Sequence, residues 1–148
     1  MDITVLVDYA HTPDALQTVL KAARRHCSKN LWCVFGCGGD RDQTKRPRMG
    51  AIAWALSDHV VVTSDNPRSE KALQIIAQIM SGIDNPAGCH VDADRKSAIY
   101  YAVTHATSGD VIVLAGKGHE TYQEIAGVRY PFDDCAIARD ALVLRGAA

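Results

Sequence analysis

The chain has 148 residues, 47% of them hydrophobic, which predicts one domain large enough to bury its own core. Lysine and arginine number 16 against 17 aspartates and glutamates, so the net charge is -1, and the basic excess typical of nucleic-acid or anionic-membrane binding is missing. The apolar runs are far shorter than the ~20 residues of a membrane span, and the N-terminus lacks a signal-peptide pattern. We therefore expect a cytoplasmic domain.

The cysteines predict neither a disulfide framework nor a zinc ribbon, because they are odd in number and form no Cys-x-x-Cys pair. On paper, Cys33 and Cys37 could be combined with a histidine, but their spacing fits no known ligand pattern. We therefore expect reduced thiols and no metal site. The cysteines are Cys27, Cys33, Cys37, Cys89 and Cys135.

Short runs rich in β-branched residues alternate with longer segments of helical period, which is typical of repeated βαβ units. Several runs are almost entirely apolar, as expected of parallel strands covered on both faces. The pattern therefore predicts a Rossmann-like, three-layer α/β domain with a mostly parallel sheet. The predicted strands are residues 3–7, 31–35, 59–63, 89–92 and 111–115.

Capping residues mark the predicted helices. Thr12 and Pro13 supply an N-cap and a first-turn proline for a helix over residues 13–26. Near the C-terminus, strand-like segments at 122–125 and 128–132 flank Ala126-Gly127, which predicts a hairpin at the sheet edge. The other helices are expected at about residues 47–56, from a Ser69 cap through 80, from an Asp94 cap through 105, and from an Asp133 cap to about 144.

Polar, glycine-containing segments follow four of the predicted strands. Ligands of open α/β sheets bind beyond the carboxyl ends of the strands, so we expect these loops to converge on one rim. They are Asp8-Tyr9-Ala10-His11, Gly36-Cys37-Gly38-Gly39-Asp40-Arg41-Asp42, Ser64-Asp65-Asn66-Pro67-Arg68 and Gly116-Lys117-Gly118-His119-Glu120.

The glycines do not complete a nucleotide-binding motif. Gly36 and Gly38 have the first spacing of G-x-G-x-x-G, but Arg41 stands in place of the third glycine. The segment from Gly116 to Gly118 lacks the upstream glycine and the following hydroxyl of a phosphate loop. The glycines are therefore open to two interpretations, as tight turns or as ligand contacts.

The third loop combines an acid, an amide and a guanidinium within four residues, and such a set could hold a zwitterionic amino acid. The alternative is a type I turn with Ser69 as helix cap and Arg68 in solvent. Similarly, His119 and Glu120 could be an acid/base pair or could only bond backbone. His11 is open to a catalytic role or to a structural one under the first helix.

Taken together, the four loops resemble the C-terminal domain of the Mur ligases, and specifically the MurE type. The motifs occur in the family's order, and the resemblance covers essentially the whole chain. It implies that residues 1–148 are one amino-acid-binding domain, without the family's N-terminal domain, its central ATPase domain or the basic hinge segment before the first strand.

The resemblance also implies a function. MurE-type ligases use ATP to add meso-diaminopimelate to UDP-N-acetylmuramoyl-L-alanyl-D-glutamate in peptidoglycan synthesis, in the bacterial cytoplasm. ATP and magnesium are bound mainly by the central domain, so we expect no cofactor in this chain alone, no activity of the isolated domain, and no nucleic acid or membrane as partner. The alternatives are a self-contained Rossmann-type nucleotide-binding module and an acid/base hydrolase built on His119 and Glu120.

Residue by residue, the resemblance implies a diaminopimelate site and no catalytic residue. Arg41, Asn66 and Arg68 would bind the distal carboxylate, with Pro67 in the same motif. Asp65, Glu120 and the Gly116 carbonyl suit the distal ammonium. Asp8 and His11 match positions near the ribose and phosphates of ATP, whereas Lys117 and His119 receive no direct role.

Overall fold

A sheet of five parallel strands forms the centre of the computed structural model, which describes residues 2–147. The order across the sheet is β1-β5-β2-β3-β4, so the last of these five strands in the sequence lies between β1 and β2. Each strand lies within one residue of its predicted bounds. The strands are β1 (Thr4–Asp8), β2 (Leu31–Phe35), β3 (His59–Val62), β4 (His90–Val91) and β5 (Val111–Ala115).

The helices begin where side-chain caps are available. The Thr12 hydroxyl accepts the Ala15 amide at 3.2 Å, the Asp94 carboxylate accepts the Lys96 amide at 3.2 Å, and Asp133 accepts the amide of Cys135 at 2.9 Å. All three predicted caps are thereby confirmed. The helices are α1 (Pro13–Arg25), α2 (Lys45–Leu56), α3 (Ala72–Met80), α4 (Arg95–His105) and α5 (Asp134–Ala147), with a 3-10 turn at Pro86–Gly88.

Two helix starts differ from the prediction. The Ser69 cap is wrong, because the Ser69 hydroxyl donates to the Asp40 carboxylate of a neighbouring loop and α3 begins only after Lys71. Helix α2 begins at Lys45, two residues before the predicted start. Pro47 is thus in the first turn, where its missing N–H has no intrahelical partner to lose.

The sheet is covered on both faces, which confirms the three-layer architecture. Side chains of β2 alternate, with Leu31, Cys33 and Phe35 in the core under α1, α2 and α3, and Trp32 and Val34 in the core under α4 and α5. All five residues of β2 are buried, as are those of β5. Because both faces of these strands are buried, their sequences are unbroken apolar runs.

The predicted hairpin is present, but it does not extend the edge of the main sheet. Strands β6 (Tyr122–Ile125) and β7 (Val128–Pro131) pair antiparallel as a sheet of their own. The hairpin is joined instead to the loop after β3, where Arg68 donates its amide to the Glu124 carbonyl at 3.0 Å and accepts the Ala126 amide at 2.7 Å. The hairpin therefore supports a loop that the sequence singles out for function.

The described residues show no sign of a membrane span, a metal site or a disulfide. None of the helices in residues 2–147 combines the length and the apolar character of a bilayer span. Nor does that part of the chain bring together three His, Cys, Asp or Glu residues that could hold a metal ion. Its five cysteines are free thiols, and burial raises the pKa of Cys33 and of Cys37 to about 12.

A charge in the middle of β5 should prevent folding. Val113 is fully buried, so Val113→Asp places an unpaired carboxylate in the core, at a cost of several kcal/mol against a total stability of about 5–15 kcal/mol. We expect Val113→Asp to yield no folded soluble protein. The matched change Val128→Asp is at a position 49% exposed and should alter the free energy of unfolding by no more than about 1 kcal/mol. Soluble yield and urea unfolding followed by circular dichroism test this, and equal damage from both changes would contradict the assigned core.

Candidate functional site

The four polar loops meet at the carboxyl end of the sheet around a cavity of about 460 Å³. This confirms the expectation that they share one rim. Three residues to which the sequence analysis gave no role in the site also contribute to its walls, namely Thr12, Cys37 and Lys45. The predicted site residues that line the cavity are His11, Arg41, Asp65, Asn66, Arg68, Gly116 and Glu120.

Two predicted site residues are not among the cavity walls. Asp8 accepts the Ala10 amide at 2.8 Å and so supports the turn after β1. Pro67 is buried, and its carbonyl oxygen lies 1.8 Å from where a Cβ of Gly39 would be. Asp8 therefore supports its loop through its carboxylate and Pro67 through close backbone packing, and any contact of theirs with a ligand stays a prediction.

The glycines of the second loop are explained by close backbone packing. A Cβ on Gly36 would lie 2.3 Å from the Thr63 carbonyl oxygen, and one on Gly39 would overlap Pro67. In addition, the Gly39 amide donates to the Asn66 carbonyl at 2.8 Å. These contacts let the loops after β2 and β3 lie side by side, and they account for the two glycines without a bound phosphate.

Arg68 is held between two elements rather than lying in solvent. Its Nη1 donates to the Gly39 carbonyl at 3.0 Å, its Nε lies 3.8 Å from Glu124 Oε1, and its side chain is only 19% exposed. Its φ of 52° lies in the left-handed region, which a type I turn does not use. The alternative of a type I turn with a solvated Arg68 is therefore wrong.

Lys117 is the principal site residue that the sequence analysis missed. It is fully buried, and its Nζ donates to Asn66 Oδ1 at 2.8 Å and to Glu120 Oε1 at 3.3 Å. Asp65 Oδ1 lies 3.9 Å from the same nitrogen. The one sequence signal was its place between two glycines, in the motif that follows β5.

Burial dominates the ionisation of the two charges at the back of the cavity. Burial raises the pKa of Asp65, and the positive charges of Arg95 and Lys117 oppose that rise. Burial also lowers the pKa of Lys117, and the negative charges of Asp65 and Glu120 act in the opposite direction. Each group thus stabilises the charged form of the other in a region with little water.

Two buried arginines, also missed from the sequence, hold the loops from behind. Arg95 of α4 donates to both carboxylate oxygens of Asp134, at 2.8 and 2.7 Å, and to the carbonyls of Ser64 and Ala115. Arg46 of α2 donates to the carboxylate of Glu70 and to the Gly38 carbonyl at 2.9 Å. Each guanidinium therefore fixes backbone next to a loop of the cavity.

The histidines lie apart from the buried charges. His119 is exposed, while Glu120 is engaged by Lys117 and by Asn66 Nδ2 at 3.2 Å, so the acid/base pair required for a hydrolase is not formed. His11 is also exposed, and its Nδ1 lies 2.9 Å from the Tyr9 carbonyl oxygen. It is therefore a rim residue and not a support under α1.

A larger groove, of about 660 Å³, lies near the two chain ends and is lined by Asp2, Arg145 and the last turn of α5. Asp2 and Arg145 already form an ion pair there at 2.6 Å. The smaller cavity is the better candidate site, because it combines several loops, buried titratable groups and a position at the strand ends.

Fold and cavity together define an α/β domain with a candidate site at the carboxyl ends of its parallel strands. The family model described as "Mur ligase, glutamate ligase domain" matches residues 1–118, and the chain belongs to this family.

Several similar proteins are diaminopimelate ligases. The UDP-N-acetylmuramoyl-L-alanyl-D-glutamate--2,6-diaminopimelate ligase of Prochlorococcus marinus is 56% identical over 142 residues, which are 96% of this chain and 28% of that protein. The ligase of the same name from Synechococcus elongatus is 54% identical over 147 residues, 99% of this chain and 30% of that protein. A solved structure of such a ligase superposes with a TM-score of 0.94 at 50% identity, covering 99% of this chain and 30% of that one.

These comparisons confirm the resemblance to the C-terminal domain of MurE-type ligases. The chain spans less than a third of the length of these relatives.

The ion pair behind the second loop should make stability depend on acid pH. Hydrogen bonds from Arg46 lower the pKa of Glu70 from 4.5 to about 2, so the stabilisation is present above pH 4.5 and is lost as the pH falls toward 2. We expect the Tm of the wild type to fall more steeply across this window than the Tm of Glu70→Gln, which cannot titrate. Differential scanning calorimetry at a series of pH values measures the dependence of Tm on pH for both proteins. Equal slopes would rule out the stabilising role of the Arg46–Glu70 ion pair.

Proposed function

We propose that this chain is the amino-acid-recognition domain of an ATP-dependent amide ligase that adds meso-diaminopimelate to UDP-N-acetylmuramoyl-L-alanyl-D-glutamate. The observation that carries the proposal is the grouping of two carboxylates with guanidinium and amide donors around one cavity. Support also comes from the ligases named above, which are more than half identical to this chain.

The proposed ligand has an ammonium and a carboxylate on its distal carbon, and the cavity offers partners for both. Asn66 and Arg68 present N–H groups from the third loop, and Arg41 presents its guanidinium from the second loop. Asp65 and Glu120 present carboxylate oxygens on the side of the cavity formed by Gly116. Charge-assisted hydrogen bonds of this kind fix orientation as well as affinity. In this proposal Pro67 restricts the backbone between Asn66 and Arg68.

The reaction would proceed in two steps. ATP transfers its terminal phosphoryl group to the carboxylate of the nucleotide-linked dipeptide, which gives an acyl phosphate and ADP. The amine of diaminopimelate then attacks the acyl carbon, and phosphate leaves as the amide forms. This chain would hold the amine-bearing substrate in position for that attack, which is a large source of rate acceleration in two-substrate reactions.

Nucleotide chemistry is assigned mainly to other domains of the ligase. The chain carries no phosphate-loop motif, and residues 2–147 do not group the side chains a metal ion needs, so we assign magnesium, most ATP contacts and the UDP-linked dipeptide elsewhere. Asp8 and His11 are proposed to face the ribose and phosphates when the domains meet. We expect this chemistry in the bacterial cytoplasm, with no nucleic acid or membrane as partner.

The isolated chain should bind but not react. We expect no phosphate release from ATP, because catalysis of phosphoryl transfer depends on a phosphate cradle and magnesium. Meso-diaminopimelate should raise the Tm of the chain, whereas NAD, the probe for a self-contained nucleotide module, should not. Magnesium-dependent ATP turnover that is lost in His119→Ala would instead favour the hydrolase, and stabilisation by NAD alone would favour the nucleotide module.

The complete ligase should discriminate strongly between diaminopimelate and lysine, which lacks the distal carboxylate. With lysine bound, Arg41 and Arg68 lose the distal carboxylate, and Arg68 keeps only Glu124, 3.8 Å away, as an anionic neighbour. Loss of one partner of a buried charge pair costs about 2–5 kcal/mol, or roughly 30- to several-thousand-fold in kcat/KM. Arg68→Ala should therefore lower kcat/KM for diaminopimelate far more than for lysine.

The matched control for Arg68→Ala is Arg25→Ala, an exposed position in the last turn of α1, which should leave the diaminopimelate-to-lysine ratio unchanged. A wild-type ligase that uses both amino acids equally, or an unchanged ratio in Arg68→Ala, would refute the carboxylate-binding role of the third loop.

A further inference from the structure

Lys117 contacts three of the proposed ligand-binding residues without lining the cavity itself. Its Nζ is bonded to Asn66 Oδ1 and to Glu120 Oε1, and it lies 3.9 Å from Asp65 Oδ1. A fully buried ammonium is costly unless it is paired, so this lysine and its partners depend on one another. The ammonium is therefore in a position to set both the geometry and the charge of these residues.

The geometric effect concerns the Asn66 amide. Asn66 Oδ1 accepts from Lys117 Nζ at 2.8 Å and from the Glu124 amide at 3.0 Å. Because both partners are donors, the atom that faces them must be the carbonyl oxygen. The Nδ2 group is then directed toward Glu120. Lys117, together with the Glu124 amide, thus sets which side of the Asn66 amide is the donor.

The electrostatic effect concerns the net charge that the side chains around the cavity present to a ligand. Arg95 is matched by Asp134 through two hydrogen bonds, and Arg68 lies 3.8 Å from Glu124. Asp65 and Glu120 then bring two negative charges against one positive charge on Lys117. The side of the cavity assigned to the ammonium therefore presents one excess negative charge, which matches a single substrate ammonium.

From this geometry we propose that Lys117 is a positioning residue of the amino-acid site. Its buried ammonium orients the Asn66 amide and neutralises one of the two carboxylates, Asp65 and Glu120, so that one substrate ammonium completes the charge balance. The inference rests on the proposed function and adds to it a specificity residue that touches no substrate atom.

A pH profile separates this role from simple packing. Asp65 faces Arg95 from α4, Asp134 from α5, and Lys117 and Glu120 from the loop after β5. Lys117 lowers the pKa of Asp65, so its removal allows that pKa to rise, and the carboxylate is then protonated at a higher pH. The acid limb of the kcat/KM profile for diaminopimelate should move to higher pH.

The experiment uses the complete ligase with Lys117→Met, which keeps the volume and removes the charge. We expect KM for meso-diaminopimelate to rise about tenfold or more, KM for ATP to change less than twofold, and the acid limb to move upward by about one pH unit. Lys117→Arg keeps a positive charge and should retain the wild-type limb. The control Lys21→Met, at an exposed position of α1, should change none of these values.

A double variant tests the charge balance directly. In wild type, Glu120→Gln removes a proposed ligand of the ammonium and should raise KM. In Lys117→Met it also removes the surplus carboxylate, so the double variant should be no worse than Lys117→Met alone. Additive losses, an unmoved acid limb, or equal rises in KM for ATP and diaminopimelate would overturn the inference. If Lys117→Met does not fold, Lys117→Gln replaces it, with the same expected outcomes.

The outcomes distinguish this inference from the function on which it rests. A wild-type ligase that does not use meso-diaminopimelate contradicts the proposed function. A wild-type ligase that uses it, together with an unaffected Lys117→Met variant, contradicts only the role of Lys117.

Discussion

The buried ion pair between Arg95 and Asp134 is the interaction on which the site's geometry depends. It joins α4 to α5, and the same guanidinium also donates to the carbonyls of Ser64 and Ala115. Those carbonyls belong to the residues immediately before Asp65 and Gly116, so the two loops that supply most of the site start from fixed points. Both side chains are fully buried, and a bidentate pair with further hydrogen bonds is the arrangement in which such burial is tolerated.

Arg46 performs a similar task on the opposite face of the sheet. It extends from α2, is fully buried, and binds the Gly38 carbonyl together with the Glu70 carboxylate. Each of the two helical layers thus places one guanidinium at the carboxyl ends of the strands. Because backbone carbonyls are their targets, the loops are ordered without a ligand, and ligand binding does not have to supply the free energy of ordering them.

The sequence predicted what local signals determine and missed what depends on distant partners. Strand positions and the caps at Thr12, Asp94 and Asp133 follow from neighbouring residues, and the convergence of the loops follows from the common direction of parallel strands. Serine is a common helix N-cap, yet the Ser69 hydroxyl donates to Asp40, which is 29 residues away in the sequence. In the same way, Arg95 is buried only because Asp134, 39 residues later, is opposite it. No local pattern distinguishes such an arginine from one in solvent.

The hairpin explains why the third loop has one open side. Gln123 donates to the Ser64 hydroxyl and to the Asp65 carbonyl, both at 2.7 Å, while Gly39 packs against the loop from the other side. A ligand therefore approaches groups that are already held from behind. Arg41 differs, because it is exposed and its guanidinium donates to the Asp40 carbonyl of its own loop. Among the proposed diaminopimelate contacts, Arg41 is the exposed side chain, so it loses the most rotamer entropy when it binds the distal carboxylate.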